Sequence, residues 1–267
     1  MNALPIGVFD SGVGGLTVLR ALRERFPQED FIYLGDTARL PYGTKSPETI
    51  IRYARQASSL LVERGIKLLV VACNTASAHA IPVLQSGNMP VLGVIEPGAA
   101  AALAATRNRR IAVLATESTV AVGAYAKAIH ALDNTNTVTV EQCACSLLVA
   151  LAEEGWTDGV EAESIIRRYL TPLLKSHQPD TLVLGCTHFP LLIPALRKVA
   201  GEDVAIVDSA STAANAVEKL LIEHKLRGQG HGQLRFMATD GAARFARVAG
   251  QFLGRAVAAS DVEIVNL

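Results

Sequence analysis

The chain has 267 residues, half of them hydrophobic, and its 25 lysine and arginine side chains balance 25 aspartate and glutamate side chains. A chain of this length and composition can bury a large core, as one compact unit or as two small domains. Because the net charge is zero, no positive field draws the protein to nucleic acid or to an anionic membrane. We therefore expect a small-molecule partner and neither a nucleic-acid nor a membrane partner.

The amino terminus and the cysteine content bear on where the protein works. The segment MNALPIGVFD has no basic region ahead of an apolar stretch, so it does not read as a signal peptide, and no apolar run reaches membrane-spanning length. The four cysteines, at positions 73, 143, 145 and 186, are too few and too unevenly spaced for a secreted disulfide scaffold. We expect a cytoplasmic protein with reduced thiols.

Short apolar segments alternate with longer helical patterns along the chain, which is typical of an α/β fold. The first clear helical pattern follows Ser46, which can cap it, has Pro47 in its first turn and ends at Gly65. The apolar segments are nearly continuous in Val, Ile and Leu, which predicts mostly parallel sheets covered by helices on both faces. The predicted strands are PIGVFD, DFIYLGD, LLVVAC, VLGVI, RIAVLAT, TVTVEQC, TLVLGC, VAIVD and LRFMATD.

Two segments of the chain resemble each other. LLVVAC ends at Cys73 and TLVLGC ends at Cys186, and IPVL and IPAL follow them with the same spacing to within one residue. The match predicts two quasi-symmetric α/β domains, although agreement over so few residues can also arise by chance. A Pro-Gly pair that interrupts the chain at 97–98, and a return near 207–212, would place residues 1–97 and 210–267 in the first domain and 98–209 in the second. The two connections would form a hinge.

Polar and reactive side chains stand where several of the predicted strands end. Ligands of an open parallel sheet bind beyond the carboxyl ends of its strands, so these residues are candidates for a site between the domains. For any single position, the alternative is that a strand end is simply where polar residues begin. The candidates at strand ends are Asp10, Ser11, Asp36, Cys73, Asn74, Thr75, Cys186, Thr187, His188 and Asp208.

Nucleotide and metal binding are weaker alternatives. FDSGVGGLT has glycines after the first strand, but Thr17 stands where the dinucleotide fingerprint needs its third glycine, and Asp10 would repel a pyrophosphate. Cys73 and Cys186 lie in no C-x-x-C pair, and the C-x-C of Cys143 and Cys145 is a poor zinc chelate. We expect no metal, and we interpret Cys143 and Cys145 as inert buried side chains.

Cys73 and Cys186 differ from the other two cysteines because hydrogen-bonding residues follow each of them directly. Two thiols that face each other across a cleft can remove a proton from one side of a carbon and return it to the other, which inverts a stereocentre. One sulfur must be a thiolate while the other stays protonated. No lysine stands in a recognisable pyridoxal-phosphate context, and we expect no cofactor.

The chain resembles the cofactor-independent glutamate racemases of bacteria through the motifs DSGVGGLTV, LGDTARLPYGTKS, ACNTASA, GVIEPG, EEG, LGCTHFPLL and VDSA. The resemblance implies two α/β domains with the active site at their interface, and interconversion of L- and D-glutamate for peptidoglycan synthesis. It implies that Cys73 acts on the D-enantiomer and Cys186 on the L-enantiomer. The substrate-binding residues that it implies are Asp10, Ser11, Tyr42, Gly43, Asn74, Thr75, Thr187 and His188.

Further roles follow for the neighbours of the two cysteines. Asp10 can pair with the substrate ammonium or assist Cys73, and His188 can tune Cys186. Among the acidic residues of EEG we favour Glu153 over Glu154 as a catalytic partner. The chain departs from the family pattern at Ala115, Ser118, Ser146 and Ala150.

Other functions stay open at this point. The alternatives are a racemase of aspartate or another small acid, a non-catalytic protein that binds a small acid or a nucleotide, and a zinc enzyme. We also expect a homodimer.

Overall fold

The computed structural model describes residues 4–87, 89–228 and 230–267. In chain order, the strands of this part are β1 (Ile6–Asp10), β2 (Phe31–Gly35), β3 (Leu68–Val71), β4 (Val91–Gly93), β5 (Arg110–Ala115), β6 (Thr139–Ala144), β7 (Thr181–Gly185), β8 (Ala205–Asp208), β9 (Leu234–Ala238) and β10 (Val262–Ile264). The α-helices are α1 (Leu16–Arg25), α2 (Pro47–Glu63), α3 (Asn74–Leu84), α4 (Ile95–Ala105), α5 (Glu117–Ala121), α6 (Ala124–Leu132), α7 (Leu147–Glu154), α8 (Val160–Ser176), α9 (Ile193–Ala200), α10 (Ser209–Glu223) and α11 (Ala242–Leu253).

The strands form two separate parallel sheets, as the sequence predicts. The first has the order β10-β9-β2-β1-β3-β4 and the second has the order β6-β5-β7-β8. The order β2-β1-β3-β4 in the first sheet corresponds to β6-β5-β7-β8 in the second, so β3 and β7, which lead to Cys73 and Cys186, occupy equivalent places. This confirms two quasi-symmetric α/β units. The strand β10, which has three residues and lies at the edge of the first sheet, was not predicted from the sequence.

Both faces of each sheet are buried, which explains the continuous apolar segments. In β3, Leu68 and Val70 pack into one hydrophobic cluster while Leu69 and Val71 pack into another on the opposite face. The central strand β5 of the second sheet alternates in the same way between two further clusters. Successive side chains of a strand point to opposite faces, so a strand covered on both sides needs apolar residues at every position.

The helix predicted after Ser46 is confirmed as α2. The Ser46 hydroxyl accepts a hydrogen bond from the backbone N–H of Thr49 at 3.4 Å, and Pro47 is the first helical residue. Proline fits there because the first N–H groups of a helix have no partner within the helix. Gly65 follows the helix with a φ of 75°, which favours glycine.

The Pro-Gly pair at 97–98 does not interrupt the chain, and this prediction is wrong. Both residues lie within the first turns of α4, where Pro97 is the third residue and its missing N–H removes no helical hydrogen bond. The return to the first unit follows β8, because α10 begins at Ser209 and packs against α1 of the first unit. Within the described residues, no helix combines the length and the apolar character needed to cross a membrane.

Candidate active site

The carboxyl ends of β3 and β7 open into one cavity of about 490 Å³ between the two sheets. That volume suits a small molecule. The cavity contains all the predicted catalytic and substrate-binding residues except Asp10, and the strand-end candidates Asp36 and Asp208 also lie outside it. The predicted residues that line it are Ser11, Tyr42, Gly43, Cys73, Asn74, Thr75, Glu153, Cys186, Thr187 and His188.

Cys73 lies at the N-terminus of α3, where its backbone is extended and its Sγ accepts a hydrogen bond from the backbone N–H of Ala76 at 3.4 Å. The thiol is 3.5 Å from the hydroxyl of Ser11, to which it can donate. Burial and, to a smaller extent, the nearby carboxylate of Asp10 raise the pKa of Cys73 to about 12, although the hydrogen bonds with Ser11 and Ala76 act in the opposite direction. Cys73 is therefore protonated in this arrangement.

Cys186 has a different partner. Its Sγ is 3.7 Å from Nδ1 of His188, and Nε2 of His188 is 3.2 Å from a carboxylate oxygen of Glu153 in α7. The ring of His188 packs edge-on against Phe252, with the ring centres 5.2 Å apart, and this contact helps to fix its orientation. These contacts form a continuous line from the sulfur through an imidazole to a carboxylate.

The electrostatics of His188 follow from this line of contacts. Burial alone would lower the pKa of His188, but hydrogen bonds with Cys186 and Glu153 and the charges of Cys186 and Asp10 raise it to about 10. The hydrogen bond from His188 lowers the pKa of Glu153, against the effect of burial. Glu153 also accepts a hydrogen bond from Arg244 of α11 at 2.7 Å. The ring is thus cationic at neutral pH and lies directly beside the Cys186 sulfur.

Asp10 does not line the cavity and is only 1% exposed. One of its oxygens accepts a hydrogen bond from the N–H of Gly12 at 2.8 Å, and the other is 3.5 Å from the hydroxyl of Thr187, which follows β7 of the second sheet. Burial raises the pKa of Asp10, an effect that the positive charge of His188 opposes. Asp10 therefore contacts the second unit from the end of β1.

Two glycines of DSGVGG allow close packing around the site. A Cβ atom on Gly14 would lie 2.4 Å from both Nδ1 of His188 and Oγ1 of Thr187 in the second unit, and one on Gly15 would lie 2.6 Å from Cβ of Asp10 in the first unit. No side chain fits at such distances. The sequence pattern that suggested a phosphate loop is explained here by close contacts, between the two units at Gly14 and within the first unit at Gly15.

Three threonine hydroxyls form a group, and two of them, those of Thr75 and Thr116, line the cavity. Thr75 of α3 is 2.9 Å from the hydroxyl of Thr116, which in turn is 3.0 Å from that of Thr119. Sequence reasoning missed Thr116, although the repeat contained a signal for it, because Thr116 follows β5 as Ser11 follows β1. Together with Ser11 and Thr187, these groups provide neutral hydrogen-bond donors and acceptors for a polar ligand.

Two predicted ligand-binding side chains have protein partners in this structure. The amide nitrogen of Asn74 donates to Tyr125 at 2.8 Å and to Ser209 at 3.0 Å, which uses both of its hydrogens. The hydroxyl of Tyr42 donates to the carboxylate of Asp36. Tyr42 and Asn74 still line the cavity, but these polar groups are committed to the protein.

Other predicted residues lie outside the cavity. Asp36 is fully buried and holds Arg39, Tyr42 and Thr239. Asp208 caps α10 by accepting hydrogen bonds from the backbone N–H groups of residues 210 and 211. Cys143 and Cys145 are free thiols, half-buried and buried respectively. Among the described residues, no group of three or more His, Cys, Asp or Glu side chains could hold a metal ion.

Several residues that line the cavity were not predicted as site residues. Thr44, Pro41 and Leu40 belong to the loop after β2, in the same motif as Tyr42 and Gly43, whereas Arg244 comes from α11, where the sequence gave no sign of a site. Ser146 and Ala150, where the chain departs from the family pattern, also line the cavity. The lining residues that were not predicted as site residues are Thr37, Leu40, Pro41, Thr44, Thr116, Ser146, Val149, Ala150 and Arg244.

Comparison with known proteins gives consistent matches over most of the chain. The family model described as Asp/Glu/Hydantoin racemase matches residues 7–217. A glutamate racemase from Geobacter metallireducens is 52% identical over 93% of this chain and 92% of its own length. A solved glutamate racemase from Bacillus anthracis has a TM-score of 0.94 at 36% identity, covering 100% of this chain and 99% of that one. Another, from Francisella tularensis in complex with D-glutamate, has a TM-score of 0.91 at 36% identity over 100% and 98% of the two chains.

Proposed function

Because this chain belongs to the Asp/Glu/Hydantoin racemase family, we propose that its cavity binds glutamate and inverts the α-carbon by moving a proton between Cys73 and Cys186. The product is the other enantiomer, so the chain interconverts L- and D-glutamate. The assignment of glutamate as the substrate rests on relatives named as glutamate racemases, which match this chain along nearly their whole length.

One observation supports the mechanism above all others. Two cysteines at equivalent strand ends of two related sheets line the same small cavity. A single acid-base group returns a proton to the face from which it came, whereas two groups on opposite faces invert the centre. The quasi-symmetry of the fold supports such a placement of the two sulfurs.

In the direction from L to D, the thiolate of Cys186 removes the α-proton and the thiol of Cys73 delivers a proton to the opposite face. The reaction leaves Cys186 protonated and Cys73 as the thiolate, which is the state that the reverse direction requires. The cationic ring of His188, with Nδ1 3.7 Å from the sulfur, can donate a hydrogen bond to the Cys186 thiolate. Asp10 can assist Cys73 or attract the substrate ammonium.

Substrate binding uses the hydroxyls and the start of α3. The hydroxyls of Ser11, Thr75, Thr116 and Thr187 can hold the substrate carboxylates, and the first N–H groups of α3, next to Asn74, have no partner within the helix. Hydrogen bonds to the α-carboxylate strengthen as negative charge moves onto its oxygens during proton removal. Tyr42 and Gly43 enclose the ligand on the side of the loop after β2.

We further propose that residues 1–97 with 210–267 and residues 98–209 form the two domains, so that the chain crosses from the first to the second along α4, and that the protein is a cytoplasmic homodimer. A reducing compartment would keep both reactive thiols free. The D-glutamate produced would serve peptidoglycan synthesis.

The proposal of a homodimer is supported by exposed apolar side chains that a partner subunit could cover, such as Trp156, 59% exposed, and Val160, 75% exposed.

Racemisation of each glutamate enantiomer, followed by circular dichroism, tests the proposal. The wild type should convert both enantiomers to a racemic mixture, and Cys73→Ala and Cys186→Ala should each abolish the conversion. Wild-type rates in either variant would refute the two-thiol scheme. Aspartate assayed in parallel tests the alternative substrate. A lack of solvent deuterium at the α-carbon of glutamate would point instead to a non-catalytic binding protein.

A further inference from the structure

Tyr125 is a buried residue that neither the sequence motifs nor the proposed proton transfer includes. It is the second residue of α6 and is fully buried. Its hydroxyl accepts the 2.8 Å hydrogen bond from the side chain of Asn74, the residue that directly follows Cys73. Tyr125 thus contacts the first unit at the point where that unit presents its thiol.

The ring of the same tyrosine contacts the residue that precedes the other thiol. A Cβ atom on Gly185 would lie 2.9 Å from Cε2 of Tyr125, and one on Gly98 would lie 3.1 Å from Cε1. The ring is therefore held between two glycine backbones, one of which leads directly to Cys186. Because interiors are close-packed, a ring in this position resists movement of either backbone.

Ser209 completes the connection. Its hydroxyl accepts the second hydrogen bond of the Asn74 amide at 3.0 Å and lies 3.4 Å from the carbonyl oxygen of Leu184 in β7. Ser209 is also the first residue of α10, where the chain returns to the first unit. Asn74, Tyr125 and Ser209 therefore join the ends of β3 and β7 through buried hydrogen bonds, which hold their groups in fixed geometry.

We propose that Tyr125 is a positioning residue for proton transfer: it contacts the residue after Cys73 and the residue before Cys186, and so fixes the separation of the two sulfurs across the substrate. This inference rests on the proposed racemase function. Proton transfer is sensitive to such a separation, since a misplacement of about 1 Å can reduce a rate by about a hundredfold. Tyr125 touches neither the substrate nor a reacting atom in this scheme.

The test compares Tyr125→Phe with the wild type and with the control Tyr169→Phe, which makes the same change on the partly buried face of α8. Phenylalanine keeps the ring between the glycines but leaves one Asn74 N–H without its acceptor. We expect kcat per folded molecule to fall by about tenfold or more in both directions, with KM for glutamate close to that of the wild type. Tyr169→Phe should behave as the wild type.

A purely structural role would instead reduce the folded fraction and leave kcat per folded molecule unchanged. A fall of less than about tenfold in Tyr125→Phe would therefore overturn the proposal. If Tyr125→Phe does not fold, Ser209→Ala is measured against the same tenfold limit, because it removes the other hydrogen-bond acceptor of the Asn74 amide. If the wild type does not racemise glutamate, the proposed function fails; if it does and the variants match it, only the role of Tyr125 fails.

Discussion

His188 lies directly beside Cys186, with Nδ1 3.7 Å from Sγ, whereas the hydrogen-bond partners of Cys73 among the described residues are Ser11 and the N–H of Ala76, neither of which is a cation. The two thiols are equivalent in the repeated fold but differ in their electrostatic surroundings. A buried thiol beside a carboxylate keeps its proton. The structure thus suits a resting state in which Cys73 is protonated.

Each thiol should act on one enantiomer only. In D2O, Cys73→Ala should exchange the α-proton of L-glutamate without racemising it, because Cys186 remains, and Cys186→Ala should exchange D-glutamate only. Racemisation should fall by about a hundredfold or more in both. Proton NMR of the α-hydrogen measures the exchange. Cys143→Ala, which alters a thiol outside the cavity, should keep the wild-type rate, and exchange of both enantiomers by one variant would contradict the assignment.

Because His188 loses its charge at alkaline pH, both the stability and the activity of the protein should fall there. Its folded pKa of about 10 exceeds the ordinary value of 6.5, so its stabilising contribution is complete below 6.5 and is lost as the pH rises through 10. The free energy of unfolding of the wild type should fall over this range relative to His188→Asn, and kcat/KM should fall as well. Urea unfolding at several pH values measures the difference.

The control for this pH series is His130→Asn, which changes an exposed histidine at the end of α6. The free energy of unfolding of His130→Asn, plotted against pH, should run parallel to that of the wild type. If the corresponding plots for the wild type and His188→Asn were parallel, His188 would not be held as a cation by its buried partners.

The roles of Glu153 and Glu154 can be distinguished by making the same substitution at each position. Glu153→Gln keeps the shape but removes the charge that His188 contacts at 3.2 Å, so the pKa of His188 should fall and kcat/KM should decrease by about tenfold. Glu154→Gln, on an exposed neighbour, should have little effect. Steady-state kinetics between pH 7 and 10 measures both. A larger effect at Glu154 would reverse the assignment.

Gly14 should tolerate no side chain, although its backbone lies outside the left-handed region. The Cβ of Gly14→Ala would lie 2.4 Å from His188 and Thr187, so we expect kcat to fall by about a hundredfold and stability by about 1–3 kcal/mol. Gly250→Ala is the control: its Cβ would lie 3.6 Å from the nearest atom, and alanine in a helix should stabilise α11 by about 0.5–1 kcal/mol. Unimpaired activity in Gly14→Ala would contradict the tight contact between the units.

The sequence by itself determined the local elements and the equivalent positions of the two cysteines. Continuous apolar segments predicted parallel strands because both sheet faces are buried, and Ser46 and Pro47 marked the start of α2 because capping depends on neighbouring residues only. The internal repeat placed Cys73 and Cys186 at equivalent strand ends. These features were predictable because their physical causes act within a few residues or recur in the chain.

Tertiary structure alone decided which distant residues meet. Nothing near Arg244 indicates that it contacts Glu153, and nothing near Tyr125 indicates that it reaches Asn74 and Gly185. Asp10 stands at a strand end like the other candidates, yet packing leaves it outside the cavity lining, 3.5 Å from the hydroxyl of Thr187. Pro97 lies within a helix that its local pattern did not suggest. Such contacts depend on how two sheets and their helices pack, and close packing is a property of the whole fold rather than of any one segment.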